Sequence, residues 1–141
     1  MASKRMCPQT VTMYNYAGEV NDKASYVKTY LHHVKCIVYR GADSSIQGRG
    51  ETDASKLYIF DDILFAADSS GHEVQYISPE EWQRLSDKTG YWTMSTDGDD
   101  FYVDGECPED YPRKEKKFRI AGIKRLDQGS RRMVHFEVDG E

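Results

Sequence analysis

The chain of 141 residues lacks an apolar run long enough to span a membrane, a pair of closely spaced cysteines, an internal repeat and a low-complexity tract. Each absence narrows the reading. A membrane-spanning helix needs about 18 or more apolar residues, and no such stretch occurs. The opening "MASKRMCPQTV" is too polar for a secretory signal. Cys7, Cys36 and Cys107 are odd in number and far apart. They make no C-x-x-C pair and have no histidine at zinc-ligand spacing, so reduced thiols in a cytoplasmic setting are expected.

What is present argues for one β-rich domain. The length suits a single core covering residues 1–141. Hydrophobic residues make up 38%, charged residues 30% and aromatics 12%, with ten tyrosines, which excludes a disordered chain. Much of the apolar content is Tyr, Phe, Val and Ile, the residues that suit a pleated surface.

The net charge of −5 is unevenly distributed. Residues 1–41 carry six Lys/Arg against two Asp/Glu, a balance of +4. Residues 42–110 carry four against seventeen, giving −13. Residues 113–132 carry nine against two, giving +7, and residues 133–141 hold three acids. An acidic middle followed by a basic segment suits a molecule with two charged faces, able to meet copies of itself or charged partners.

Along the chain, residues 1–9 read as a flexible basic arm. "TVTMYNY" alternates like a strand, and "AGEVNDKA" is a turn cluster. Strands are expected from about Tyr26 to Leu31 and from Val34 to Arg40, with helix as the rival reading. Residues 41–56, rich in Gly, Ser and Asp, read as one long loop of the kind that is often functional. "KLYIF" is a strand and "QYI" a short one. "SPEEWQRLSDKTG" carries the clearest local signal. Ser78 can cap a helix, Pro79 fits its first position, and Glu81 stands at capping-box spacing, so one short helix is expected over about 78–87. "YWTM" and "FYVDG" follow, then "CPEDYPRKEKK" as a linker. "KFRIAGIKRL" and "RRMVHFEVDG" are expected to form a hairpin through "DQGS". In its second strand Val134, Phe136 and Val138 face one way, and Met133, His135 and Glu137 the other. The expected architecture is a small antiparallel β-barrel or sandwich with one short helix and long loops.

No catalytic set emerges. His32 and His33 are consecutive and point to opposite faces of a strand, so they cannot grip one metal. His72 sits in a turn. His135 lacks a serine or cysteine in nucleophile context and reads as a packing or interface residue. "GRGETD" lacks the strand–helix frame of a phosphate loop. "DGDD" lacks the ordered spacing and closing glutamate of a calcium loop and reads as a hairpin tip. With 24 acids, no carboxylate pair stands out as a catalytic couple. The sequence therefore points to no enzyme, no cofactor, no metal and no small-molecule substrate. The basic concentration is Arg113, Lys114, Lys116 and Lys117, with Arg131 and Arg132 expected nearby across the hairpin. These residues and His135 are the candidate interface. They could touch a DNA backbone without reading sequence, or pair with the acidic middle of a neighbouring copy, and the second reading is preferred.

Two stretches, "YISPEEWQRLSDKTGYWTMSTDGDDFYVDGE" and "IKRLDQGSRRMVHFEVDGE", resemble a family of short phage and prophage proteins encoded among the head–tail joining genes. There a "YV/I-x-P-x-x-[WF]" segment precedes "GYWTL…GD-x-[IV]-V-x-G", and the chain ends in "GS-x-x-M-x-H-[WF]-x-V-x-G". These correspond to Tyr76–Trp82, Gly90–Gly105 and Gly129–Gly140. "TVTMYNY" followed by "YVKTYLHHV" is similar to the family's start, whose second strand has the pattern "T-x-[IL]-x-G-V". The departures are loop 41–56, the lysine-rich 113–117 insert, and Phe136 where Trp is common.

The resemblance implies a structural virion protein, made in the host bacterial cytoplasm and built into the neck. It would be a head-completion or stopper subunit forming a homo-oligomeric ring. Portal or adaptor proteins would lie on one side, and the tail terminator or tail tube on the other, with non-specific contact to packaged DNA possible. Two alternatives stand beside it: a tail terminator, or a nucleic-acid-binding accessory module that reads no sequence. A small hydrolase using His135 is the weakest reading. A ring made of one chain uses heterologous contacts, for which complementary charges on opposite sides of the protomer are useful.

Overall fold

Alternation at the start of the chain builds the frame. The computed structural model describes residues 5–39, 53–127 and 134–141. In β1 (Gln9–Val20), Val11 and Met13 enter the main core while Tyr14 lies on the opposite face. Asn21 and Asp22, with φ of 54° and 62°, make a tight turn of the kind whose twist matches a hairpin. The chain returns as β2 (Lys23–Tyr39), paired antiparallel with β1 from Val20↔Lys23 to Gln9↔Val34. The two strands expected over 26–31 and 34–40 are thus one. His33 interrupts the ladder without ending it: it has φ of 65°, and pairing passes from His32 to Val34.

The frame then closes on itself. β1 pairs on its other edge with β7 (Phe101–Asp104), β7 with β8 (Lys117–Leu126), and β8 with β9 (His135–Gly140). β9 pairs with β3 (Ala54–Phe60), and β3 returns to β2. Six strands, each antiparallel to both neighbours, form a barrel in the order β1-β7-β8-β9-β3-β2. The expected barrel is present. β2 and β8 act as its corners: β2 leaves β1 for β3 just after His33, and β8 passes from β7 to β9 beside the unpaired Ala121. Extra residues of this kind bend a strand and raise its twist, which is what closing a small barrel requires. Beyond the start of β1, the Gln9 side chain takes over as a strand partner. Its amide donates to the Cys36 carbonyl and accepts from the Cys36 N–H, both at 2.8 Å.

Val11, Met13, Leu31, Leu57, Ile120 and Val138 fill the barrel. Residues 61–99 leave it and return as a cap. β4 (Phe65–Ala67) continues along the β2 edge, and β5 (Gln75–Tyr76) pairs in parallel with β6 (Tyr91–Trp92). Val74, Trp92 and Met94 from this excursion are buried in the main core. Each such large apolar side chain contributes about 1.5–3 kcal/mol relative to exposure.

Between β5 and β6 lies α1 (Pro79–Arg84), with the capping box in place. The Ser78 side chain accepts from the Glu81 N–H, and the Glu81 carboxylate reaches back to the Ser78 N–H. The helix is shorter than the expected 78–87. Leu85 adopts an extended backbone, and Asp87 instead accepts from the Thr89 N–H at 3.0 Å, starting a turn. Trp82 anchors the helix by donating from its indole to the Tyr16 carbonyl at 3.0 Å.

Other expectations are also adjusted. Within the arm expected over 1–9, Cys7 is buried with Phe60 and Gln9 opens β1. Of the loop expected over 41–56, Ala54, Ser55 and Lys56 belong to β3, while residues 41–52 lie outside the described residues. Asp100 is no solvated hairpin tip. It is 4% exposed and ties β1 to the cap, its carboxylate accepting from the Tyr16 N–H at 2.8 Å and the Asn15 amide at 3.1 Å. Asn15 also exchanges hydrogen bonds with the Thr93 backbone, giving to its carbonyl and taking from its N–H.

Residues 105–113, which take in the first part of the 107–117 stretch read from the sequence as a linker, form a strap across the outer face of β1 and β2. The Tyr14 phenol donates to the Glu109 carbonyl and the Tyr30 phenol to that of Cys107. Lys28 reaches the Pro108 carbonyl, and Tyr111 reaches that of Ala24. Under the strap, Tyr14, Phe101, Val103 and Cys107 make a second small core.

Candidate interface site

The basic strip begins where the strap ends. Residues 114–116 form a single 3-10 turn, after which β8 places Lys117 and Arg119 on the outer face and Phe118 and Ile120 in the core. On that outer face the Lys117 ammonium stands 4.7 Å from the centre of the Phe101 ring. Phe101 stacks on Tyr14 at 4.5 Å and meets Tyr26 edge-on at 5.1 Å. Together Tyr26, Phe101, Lys114, Lys117 and Arg119, with Asp99 and Glu141, line an open groove of about 420 Å³.

Charges along this strip are not equivalent. Lys116 is neutralised by Glu109 at 3.0 Å, and Arg119 faces Glu141 at 3.5 Å. Among the described residues Arg113, Lys114 and Lys117 make no ion pair. An ammonium over an aromatic face, beside a second unpaired one, is a site for a carboxylate or phosphate that also has apolar surface to bury.

Of the candidate interface residues, the structure describes Arg113, Lys114, Lys116, Lys117 and His135. Arg113, Lys114, Lys116 and Lys117 lie at the start of β8. Arg131 and Arg132 lie outside the described residues, but Leu126 and its partner His135 stand at the far end of β8. Ten residues of strand, roughly 30 Å, lie between.

His135 is half-buried and its ring stacks on Phe60, 4.7 Å between centres, with Tyr58 at 6.3 Å. Cys7 packs on the same Phe60. A thiol and an imidazole around one ring invite a catalytic reading, yet burial pushes the Cys7 thiol up and favours its protonated form. Reactive cysteines need the opposite shift. On the other face of β9, Val138 is fully buried and Phe136 packs against the main core, as alternation requires. Val134 is half-buried.

Three further features bear on chemistry. His32 takes its place by a 2.9 Å hydrogen bond between its Nδ1 and the Thr10 hydroxyl, and stacks near Phe65. His72 is exposed beside Asp68, whose carboxylate is held low by hydrogen bonds from the His72 and Ser70 backbone. At the barrel mouth a slot of about 310 Å³ is walled by Ile59, Leu64, Tyr76, Trp92 and Phe136. Its rim is closed by Arg125, which forks onto Asp61 and lies 4.4 Å over the Phe136 ring. Among the described residues no three His, Cys, Asp or Glu side chains could hold one metal ion, and no helix is long and apolar enough to cross a membrane.

The signal for the groove was partly legible, since "PRKEKKFR" is visibly basic. Its aromatic floor was not, because Tyr26 and Phe101 come from distant strands that only the barrel brings together. Fold and site define a closed, six-stranded antiparallel β-barrel with a capped end and a basic–aromatic groove on its outer wall. Residues 6–141 match the Family of unknown function (DUF6751), and the chain belongs to that family. No curated protein and no solved structure matches it.

Proposed function

We propose that this chain is a structural protein of a tailed-phage virion, a head-completion or stopper subunit of the ring between the portal–adaptor complex and the tail. The observation that carries the reading is the separation of charge on one small barrel. The cap, residues 61–99, holds nine acids and two bases, a net −7. The strip at residues 113–119 holds five bases and one acid, a net +4. A subunit that repeats around a ring presents one surface to the neighbour on its left and a different one to the neighbour on its right. Opposite charges favour that pairing and disfavour like-to-like contacts.

The motif resemblance to head–tail joining proteins supports the same reading. So does the β1–β2 hairpin. β7 pairs only with Val11 to Tyr14 of β1, so the hairpin continues past the barrel to an exposed tip at Val20. On this reading the chain does no chemistry and requires no cofactor. It is made in the bacterial cytoplasm and ends in the virion neck, as a ring against portal or adaptor proteins above and the tail terminator or tube below.

The test is to purify virions carrying the gene and a knockout of it, identify the chain by mass spectrometry, and image the neck. The expected result is a ring at the head–tail junction in the first and tailless, leaking heads in the second. Virions of normal composition and infectivity without the chain would overturn the proposal. Density at the tail-proximal end of the tube would move the assignment to tail terminator.

A further inference from the structure

The outer-wall groove offers a more specific reading, which rests on the ring proposal above. We infer that the groove floored by Tyr26 and Phe101 and rimmed by Lys114 and Lys117 is the docking site for the acidic cap of a second copy of this chain.

Three observations converge on that occupant. The first is the state of the cations. Lys116 and Arg119 are paired within the protomer, whereas Lys114 and Lys117 make no ion pair among the described residues and both face the groove. The second is the floor. Phe101 and Tyr26 bring apolar surface to the base of the groove, in a cluster with Tyr14 that the strap already holds rigid. Rigid aromatic surface flanked by cations is where interfaces concentrate their energy, since little ordering entropy is lost on docking. The third is the cap. Glu73, Glu80 and Asp97 are exposed, and among the described residues their carboxylates make no ion pair or hydrogen bond. One chain thus carries, among the described residues, a groove with two unpaired lysines, whose lining also includes Arg119, Asp99 and Glu141, and exposed carboxylates without partners at Glu73, Glu80 and Asp97 of the cap. A head-to-tail neighbour on each side uses both at once, which is the heterologous arrangement that a ring needs, whereas a two-fold dimer would use both with a single partner.

A phosphate backbone would also suit two lysines, but the base faces of duplex DNA are stacked on one another and not free to cover a floor of phenyl and phenol rings. The acid-rich cap supplies both kinds of surface, since Tyr91 and Ile77 accompany its carboxylates and are half-buried.

The experiment uses the full chain and charge reversal. One variant reverses the groove (Lys114→Glu with Lys117→Glu), one the cap (Glu73→Lys, Glu80→Lys and Asp97→Lys), and a third carries both sets. Self-association is followed by sedimentation at low and high salt up to millimolar chain, and folding by thermal melts. We expect each single-patch variant to associate roughly tenfold more weakly than wild type, and the combined variant to recover most of that loss. An equimolar mixture of the two single-patch variants should form a heterodimer. Failure of the combined variant to recover, equal association of all variants, or no wild-type association at millimolar chain would each overturn the inference. Retention of duplex DNA that is lost only in the groove variant, with self-association unchanged, would overturn it in favour of nucleic acid. The two readings fail separately. A groove variant incorporated into normal necks sinks the docking contact alone. A wild-type chain absent from virions sinks the ring proposal, whatever the sedimentation shows.

Discussion

Ser55 and Tyr102, 47 residues apart, join their hydroxyls by a short hydrogen bond inside the barrel, and the backbone of Gly140 backs directly onto the pair. A methyl group at position 140 would sit 2.7 Å from the Ser55 oxygen and 2.8 Å from the Phe118 Cβ, closer than real side chains approach. Both residues are fully or nearly fully buried. Here β3, β7, β8 and β9 meet, and the glycine of the terminal "VDGE" is the residue that lets them.

Gly140→Ala should therefore destabilise the fold by overpacking, by about 1–3 kcal/mol, seen as a lower urea midpoint with an unchanged slope. Tyr102→Phe keeps the ring and leaves the Ser55 hydroxyl buried without its partner, a loss of about 1–3 kcal/mol. In the Tyr102→Phe background, Gly140→Ala should cost less than in wild type, since one of the colliding atoms is gone. Equal costs in both backgrounds would mean that the collision is not with Tyr102.

Asp100 makes stability depend on pH. Burial pushes its carboxyl above the ordinary 3.8, and hydrogen bonds from Tyr16, Asn15 and Ser95 only partly offset this. A carboxyl whose folded value is raised keeps its proton longer in the folded chain than in the unfolded one. Stability contributed at this position is thus greatest at low pH and is lost as pH rises from 3.8 through the folded value. Urea titrations at a series of pH values should show the wild type losing ground relative to Asp100→Asn as pH increases over that window. A wild type that instead gains on Asp100→Asn as pH rises would mean that the hydrogen bonds outweigh burial.

The strap over residues 105–113 should loosen locally when its tyrosine anchors are cut. Burial raises the Tyr14 phenol, so it stays a protonated donor to the Glu109 carbonyl across the accessible pH range. Tyr14→Phe removes that bond at about 1 kcal/mol. Hydrogen exchange should quicken by roughly fivefold at the Gly105 N–H, which donates to the Thr10 carbonyl, and at the Cys107 N–H, which donates to the Thr12 hydroxyl. Amides of β3 and β9 should be unaffected. Uniform quickening across the barrel would mean that the strap is part of the global folding unit.

The strap also marks where sequence reasoning stops. "SPEEWQ" could be read as a helix start because capping is a local matter, settled by Ser78 and Glu81 three residues apart. The alternation of Val134, Phe136 and Val138 was legible for the same reason. "CPEDYP" was not, since its order comes from its carbonyls meeting phenols of Tyr14 and Tyr30, and nothing in a polar stretch announces that. Asp100 was misplaced because "DGDD" looks solvated until Asn15, 85 residues away, arrives beside it. The groove was half-read: its cations are contiguous in sequence, its aromatic floor is not.

His33 supplies the last prediction. The residue stands at φ of 65°, the left-handed region where a side chain costs about 1–2 kcal/mol and glycine costs nothing. The conformation is required because the ladder skips this residue as β2 turns the barrel's corner from β1 to β3. His33→Gly should relieve the backbone and return roughly 0.5–1 kcal/mol of that in unfolded-chain entropy, leaving stability equal or raised by up to about 1 kcal/mol. His33→Val, with a β-branched side chain in the same conformation, should lower it by more than about 1 kcal/mol. Thermal midpoints should rank Gly, then His, then Val. A Val variant as stable as wild type would mean that the corner can be turned without the left-handed residue, and that the bulge follows from the strand pairing and does not set it.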